Sequence, residues 1–253
     1  VLQYMACNTG LEIHHDGDLP ARSGLGSSSS FTVGLINALK ALNGNYISDE
    51  ALATQAIHIE QNVIKENVGS QDQISAAYGG FNRIDFNRND SFKVTPIILP
   101  TERLGEFQSH LMLFFTGFSR IASEVAKSKI DNIKSRTVEM NKIDEIAKAA
   151  LNVLQSNAPL SEIGHLLDES WKYKRSLSDK ISTQSIDEIY DAGIAAGAMG
   201  GKILGAGGGG FILFFVAPEK QTALRAALHN LIHVPFKFEN TGSRVVLYQP
   251  QGL

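Results

Sequence analysis

The sequence predicts a two-domain α+β protein, and three observations lead there. The 253 residues, 43% of them hydrophobic and 19% charged, hold enough apolar mass for two modest cores or one large one. Helical spacings and strand-like runs occur in both halves of the chain. Pro96 and Pro100 punctuate the middle, which puts a boundary near Pro100 and divides the chain into residues 1–100 and 101–253.

In the first half, Leu11-Glu12-Ile13-His14 alternates apolar and polar side chains and predicts a short strand, broken by Asp16-Gly17-Asp18. Phe31, Leu35, Leu39 and Leu42 recur at helical spacing, with Gly44 placed to stop that helix. Ser48 should cap a second helix, with Asp49 and Glu50 in its first turn and Leu52, Ala56, Ile59 and Val63 as its stripe. Val68-Gly69 ends it. Ser70-Gln71-Asp72-Gln73 has the spacing of a capping box and predicts a short helix to Tyr78, closed by Gly79-Gly80. Phe81 to Phe86 and Phe92 to Ile98 predict strands around the turn Asn87-Arg88-Asn89-Asp90.

The second half opens on the apolar run Leu111 to Phe115, the pattern of a buried strand. A helical region from Ser119 to about Asn157 follows, broken once or twice. Another helix carries Ile163, Leu166, Leu167, Ser170 and Trp171, and a third runs from Ser185 to Ala198. KILGAGGGGFILFFVAPE, residues 202–219, reads as strand, glycine loop and strand. Pro218 suits the first turn of a last helix, and strand candidates at 234–238 and 244–248 finish the chain.

Several function classes drop out. A net charge of −3 provides no basic field for nucleic acid. Phe211 to Ala217, the longest strongly apolar run, is too short to span a bilayer, and no signal-peptide pattern opens the chain. One cysteine, Cys7, excludes an internal disulfide and points to a reducing, cytoplasmic setting. It reads as a small buried side chain rather than a reactive thiol. His14 and His15 would face opposite sides of one strand and form no metal set. A serine-hydrolase elbow, G-x-S-x-G, is absent.

Two glycine clusters carry the chemistry. In LPARSGLGSSSS, residues 19–30, Gly24 and Gly26 precede a helix start, where unpaired N–H groups and a positive dipole end attract anions. Serine hydroxyls there can meet phosphate oxygens or Mg²⁺. The missing lysine excludes a Walker A loop. A polar turn with Ser27 as an ordinary N-cap explains the same residues, so both readings stand. The second cluster, Gly205 to Gly210, satisfies G-x-G-x-x-G, but a strand follows it where a dinucleotide fingerprint needs a helix. What remains is a tight loop between strands, exposing its backbone or packed against another segment.

PARSGLGSSSS resembles the phosphate-binding motif P-x-x-x-G-L-G-S-S-A of the GHMP kinase superfamily, with Ser29 as a small-for-small change from alanine. KILGAGGGG resembles that family's C-terminal motif, K-x-x-G-A-G-G-G-G, and the two lie in order roughly 180 residues apart. VGSQDQISAAYGGFNRIDF and LLDESWKYKRSLSDKIS are most similar to the branch phosphorylating C1 of D-glycero-D-manno-heptose 7-phosphate. The resemblance implies an N-terminal part like ribosomal protein S5 domain 2 and a ferredoxin-like C-terminal part. Nothing before Leu11 resembles the family's first motif, so much of the N-terminal domain is expected to lie outside this chain.

By that resemblance the cofactors are ATP and Mg²⁺ and the partners are small molecules, ATP and a sugar phosphate. Ser23, Gly24, Leu25, Gly26, Ser27 and Ser28 would wrap the ATP phosphates, opposite Gly205 and Gly207. Ser28 and Glu60 would hold the metal, and Asp72 would accept the proton of the sugar hydroxyl. A carboxylate in a helix's first turn is expected to be stabilised as the anion, a ready acceptor but a weak base. Arg120, Lys172 and Arg175 are candidates for a substrate phosphate, or else solvated helix charges; Trp171 reads as core rather than sugar platform. A fucokinase-like enzyme and a binding protein without catalysis are the alternatives. The oligomeric state is left open.

Overall fold

The computed structural model describes residues 1–20, 23–117 and 122–249. Its backbone forms two compact units. The first comprises Val1–Ala21, Gly26–Ile97 and Phe238–Leu253; the second comprises Arg22–Leu25 and Ile98–Lys237.

The first unit contains α1 (Ser27–Leu42), α2 (Asp49–His58), α3 (Gln71–Tyr78) and the antiparallel hairpin β1 (Asn82–Phe86) and β2 (Phe92–Pro96). Its core joins Val33 and Ile36 of α1, Leu52 and Ala56 of α2, and Ile74 and Ala77 of α3. Ser48 Oγ accepts from Ala51 N–H at 3.3 Å, the expected cap of α2. Gly44, at φ +68°, ends α1 with its N–H on Ala41 O.

Two expected stripes are corrected. The buried face of α1 is Ser29, Thr32, Val33, Ile36 and Leu39, while Phe31 and Leu42 face solvent. The period is helical, but its phase follows the side carrying Ser29. After His58 the α2 winding widens into a π-turn, Ile59–Val63, in which Ile64 N–H reaches Ile59 O at 2.8 Å. The wider turn carries one more residue, so Ile59 and Glu60 are both buried and Val63 is rotated out, 48% exposed.

Neither Leu11–His14 nor Arg244–Tyr248 forms a strand, since neither has a ladder partner among the described residues. The chain's end also departs from the expected division at residue 100, because it returns to the first unit. Gly80 N–H donates to Glu239 O at 3.0 Å, and Ser243 N–H donates to Ala76 O at 2.9 Å. Asn37 Nδ2 donates to Ser243 O and Oγ, and Phe238 stacks on Phe81 at 5.3 Å between centroids.

The second unit runs α4 (Thr101–Ser109), β3 (Leu111–Phe115), α5 (Ala122–Asn132), α6 (Thr137–Leu154), α7 (Ser161–Ser176), α8 (Gln184–Ala195), β4 (Gly200–Ile203), β5 (Phe211–Phe215), α9 (Gln221–Ala227) and β6 (Ile232–Val234). The sheet order is β4-β5-β3-β6, antiparallel throughout. The long helical region is interrupted by a 3-10 turn at Ile133–Ser135, and β6 stops before Pro235, which has no N–H for a ladder. Sequence spacing does not announce α4, which buries only Phe107.

Phe214 and Phe215 point to opposite faces of β5. Phe214 stacks on Tyr190 of α8, with Gly193 leaving room for its ring; Phe215 meets Phe107 and His110. Trp171 is fully buried in the core with Ile186, Ile203 and Leu224, as expected. Cys7 is half-buried, more open than expected. Among the described residues no helix is long and apolar enough to cross a membrane.

Candidate functional site

Helix α1 begins at Ser27, so Ser27 is not its cap. The N-cap is Gly26, left-handed at φ +69° and ψ +24°; no side chain caps the helix and no acidic residue lies in its first turn. The α1 terminus therefore keeps its partial positive charge. Ser28 is exposed in that turn, while Ser29 turns inward and is 3% exposed.

Gly26 is required by its neighbour as well as by its backbone. A Cβ there would lie 2.9 Å from Asp72 Cβ and 3.0 Å from Asp72 Cγ. Asp72, in the first turn of α3, thus packs against the glycine that opens α1. Its carboxyl is held above the usual aspartate range, first by lost hydration on the crowded side and second by the charge of Glu60. The expected stabilised anion is corrected. Crowding and a like charge outweigh the helix start, which makes Asp72 a stronger base than its position suggests.

Glu60 is 4% exposed. Its Oε2 accepts from Ser29 Oγ at 2.8 Å and from Gln73 Nε2, while Oε1 has no hydrogen-bond partner among the described residues. The capping box does not form. Gln73 gives its amide to Glu60, and Ser70 Oγ instead accepts from Gln61 Nε2 at 3.1 Å. Sequence spacing gives Gln73 to a cap and Ser29 no role at the site; the hydroxyl in place of the motif's alanine is the signal for Ser29.

In the second unit the two glycine loops interlock. Gly24 (φ +83°), Gly205 (φ +63°) and Gly210 (φ +91°) are all left-handed. A Cβ on Gly205 would overlap the Gly24 carbonyl, and one on Gly210 the Ser23 carbonyl. Gly207 lies against Ile181, whose carbonyl accepts from Gly208 N–H at 2.8 Å. Close packing is what these glycines make possible. Lys174 Nζ, also missed, donates to Ile203 O at 2.8 Å and Gly205 O at 2.7 Å and holds the loop from α7. Leu25 belongs to this unit, so the phosphate-loop candidates divide between the units at the Leu25–Gly26 peptide.

The cationic candidates are otherwise engaged. Lys172 pairs with Asp168 at 2.6 Å; Arg175 pairs with Asp187 at 2.8 Å and lies over the rings of Trp171 and Tyr190. Arg120 lies outside the described residues. No group of three or more His, Cys, Asp or Glu among the described residues could hold a metal by itself. A hydroxyl on Ser28 and the unpartnered Oε1 of buried Glu60 are oxygen donors, however, and suit Mg²⁺, which takes one or two carboxylates and completes its shell with phosphates and water. The residues fit the ion.

Comparisons with known proteins assign the chain's family. The family description "GHMP kinases N terminal domain" matches residues 1–80, and "GHMP kinases C terminal" matches residues 145–232. D-glycero-alpha-D-manno-heptose 7-phosphate kinase of Campylobacter jejuni is 32% identical over 85% of this chain and 64% of its own length. The bifunctional fucokinase/GDP-fucose pyrophosphorylase of Arabidopsis thaliana is 27% identical over 92% of this chain and 22% of its own. Among solved structures, a D-glycero-D-manno-heptose 1-phosphate kinase from Bacteroides thetaiotaomicron superposes with a TM-score of 0.70 at 30% identity, over 89% of this chain and 64% of that one. The chain thus spans less than two thirds of these relatives. With both of the family's domain patterns present in order, and a relative 32% identical over 85% of this chain, the chain belongs to the GHMP kinase family.

Proposed function

We propose that this chain belongs to an ATP-dependent kinase that transfers the γ-phosphoryl group to a hydroxyl of a sugar phosphate, at C1 of D-glycero-D-manno-heptose 7-phosphate. The observation carrying this reading is Asp72, crowded against the glycine that opens α1, with its carboxyl raised toward a useful base. Phosphoryl transfer needs mainly positioning and charge neutralisation. The α1 terminus supplies N–H groups for phosphate oxygens, and Asp72 accepts the proton of the attacking hydroxyl. Magnesium, when held by Ser28 and Glu60, neutralises phosphate charge. The sheet order β4-β5-β3-β6, with helices between β3 and β4 and between β5 and β6, supports a ferredoxin-like second unit. The heptose branch rests on the Campylobacter and Bacteroides relatives, and the Arabidopsis relative favours fucose as the competing acceptor.

The test is a coupled ADP-release assay with heptose 7-phosphate, fucose, galactose and mevalonate as acceptors. Heptose 7-phosphate should have the highest kcat/KM. Preference for fucose moves the chain to the competing reading, and nucleotide binding without turnover on any acceptor identifies a binding protein.

A further inference from the structure

Glu60 is a flexible side chain buried in an almost closed place, and two donors from different elements converge on one of its oxygens. Ser29 comes from the first turn of α1 and Gln73 from the first turn of α3. Their own helices explain neither. Ser29 replaces the motif's alanine on the buried face of α1, and Gln73, fully buried, has left the capping box its spacing predicts. Burying donors is costly unless they are paired, and both Ser29 Oγ and Gln73 Nε2 meet that cost at Glu60 Oε2, while Gln73 Oε1 accepts from nothing among the described residues. Turning the Gln73 amide over would set its oxygen against a carboxylate oxygen, so Nε2 faces Glu60. On the carboxylate itself Oε1 is left, buried and accepting from nothing among the described residues.

We infer that Ser29 and Gln73 are positioning residues: together they saturate Glu60 Oε2 and hold Oε1 as the oxygen that Glu60 offers to a magnesium–nucleotide. The inference rests on the functional reading above, and it deepens the role of one residue in it. A ligating carboxylate held by outer hydrogen bonds loses about 10–100-fold in metal affinity when they are removed. Here two donors on two helices share the task, so each removal alone should fall near the lower end and both together near the upper end. The π-turn belongs to the same arrangement, since it brings Glu60 inward beside Ile59.

The experiment is calorimetric binding of a non-hydrolysable ATP analogue to the full chain across a range of Mg²⁺ concentrations, for wild type, Ser29→Ala, Gln73→Leu and the double variant. Each single change should raise the Mg²⁺ needed for half-maximal binding about 10-fold, and the double change about 100-fold. Affinity at saturating Mg²⁺ should stay near wild type. Ser29→Thr, which keeps the hydroxyl, should restore the wild-type requirement, and in a Glu60→Gln background Ser29→Ala should add less than about twofold. Unchanged Mg²⁺ dependence in folded variants overturns the inference, as does an undiminished effect in the Glu60→Gln background. If Gln73→Leu fails to fold, Ser29→Ala decides alone, because alanine is the motif's own residue there. A wild-type chain that binds no magnesium–nucleotide overturns the functional reading itself, which separates the two failures.

Discussion

Asp72 is set by opposing forces on one carboxyl. A helix N-terminus favours the charged form by about 0.3–1 kcal/mol. Crowding beside Gly26 and the nearby charge of Glu60 push the other way, and they win. Asp72→Asn removes the proposed proton acceptor, so kcat should fall by about 10²–10⁴ while magnesium–nucleotide affinity stays within a few-fold. The same variant tests the electrostatics without catalysis. A carboxyl whose folded pKa exceeds its unfolded value, here 3.8, costs stability at any pH above the folded pKa. That cost disappears as pH falls through the folded pKa toward 3.8. Asp72→Asn should therefore raise the melting temperature at neutral pH, and the gain should shrink as the pH is lowered through the acidic range. The gain is modest, because Asp72 keeps an exposed side and salt screens it. A gain that grows on acidification would reverse the assigned sign.

At the scale of elements, the junction of α1 with α3 depends on the absence of one side chain. Gly26→Ala places a methyl 2.9 Å from Asp72 Cβ and forces an L residue into a left-handed conformation costing about 1–2 kcal/mol. Urea unfolding should show at least that loss, and nucleotide binding should weaken as Asp72 is displaced. Gly34, in the middle of α1 with open space around it, is the control. Gly34→Ala should stabilise the chain by about 0.5–1 kcal/mol. If both variants lose equally, the effect belongs to the helix and not to its contact with Asp72. This contrast also marks what the sequence could reveal. Gly26 and Asp72 are legible because a loop motif and a helix start are local patterns. The π-turn is not, since its hydrogen bonds replace α-helical ones without any signal in apolar spacing, and so spacing alone counts Val63 in the core. Local spacing assigns Gln73 to a capping box because the carboxylate competing for its amide lies 13 residues earlier in the chain.

For the whole molecule, what the sequence hides is where the chain ends up. The apolar run within 244–248 suggests a last strand, yet the hydrogen bonds of 239–243 run to α3, α1 and the turn before β1. Periodicity describes a segment's own face; it does not name the partner. The consequence is that the end of the chain braces the helix bearing Asp72. Gly242 makes the contact possible, because a Cβ there would overlap the Ala77 carbonyl. Gly242→Val should lift the segment away and break the bonds from Ser243 N–H to Ala76, from Gly80 N–H to Glu239 and from Asn37 to Ser243. At about 0.5–1.5 kcal/mol per bond, losing these four bonds removes roughly 2–6 kcal/mol, and about 1.4 kcal/mol corresponds to a factor of ten. Amide hydrogens in 71–78 should then exchange at least about 10-fold faster, while those of β5, in the second unit's core, keep their protection. With Asp72 less firmly held, turnover should fall more than nucleotide affinity, since a small misplacement of a reacting group can cost about 10²-fold. Unaltered exchange in α3 would mean that the helix stands without the brace, and that its packing on Gly26 suffices to hold Asp72.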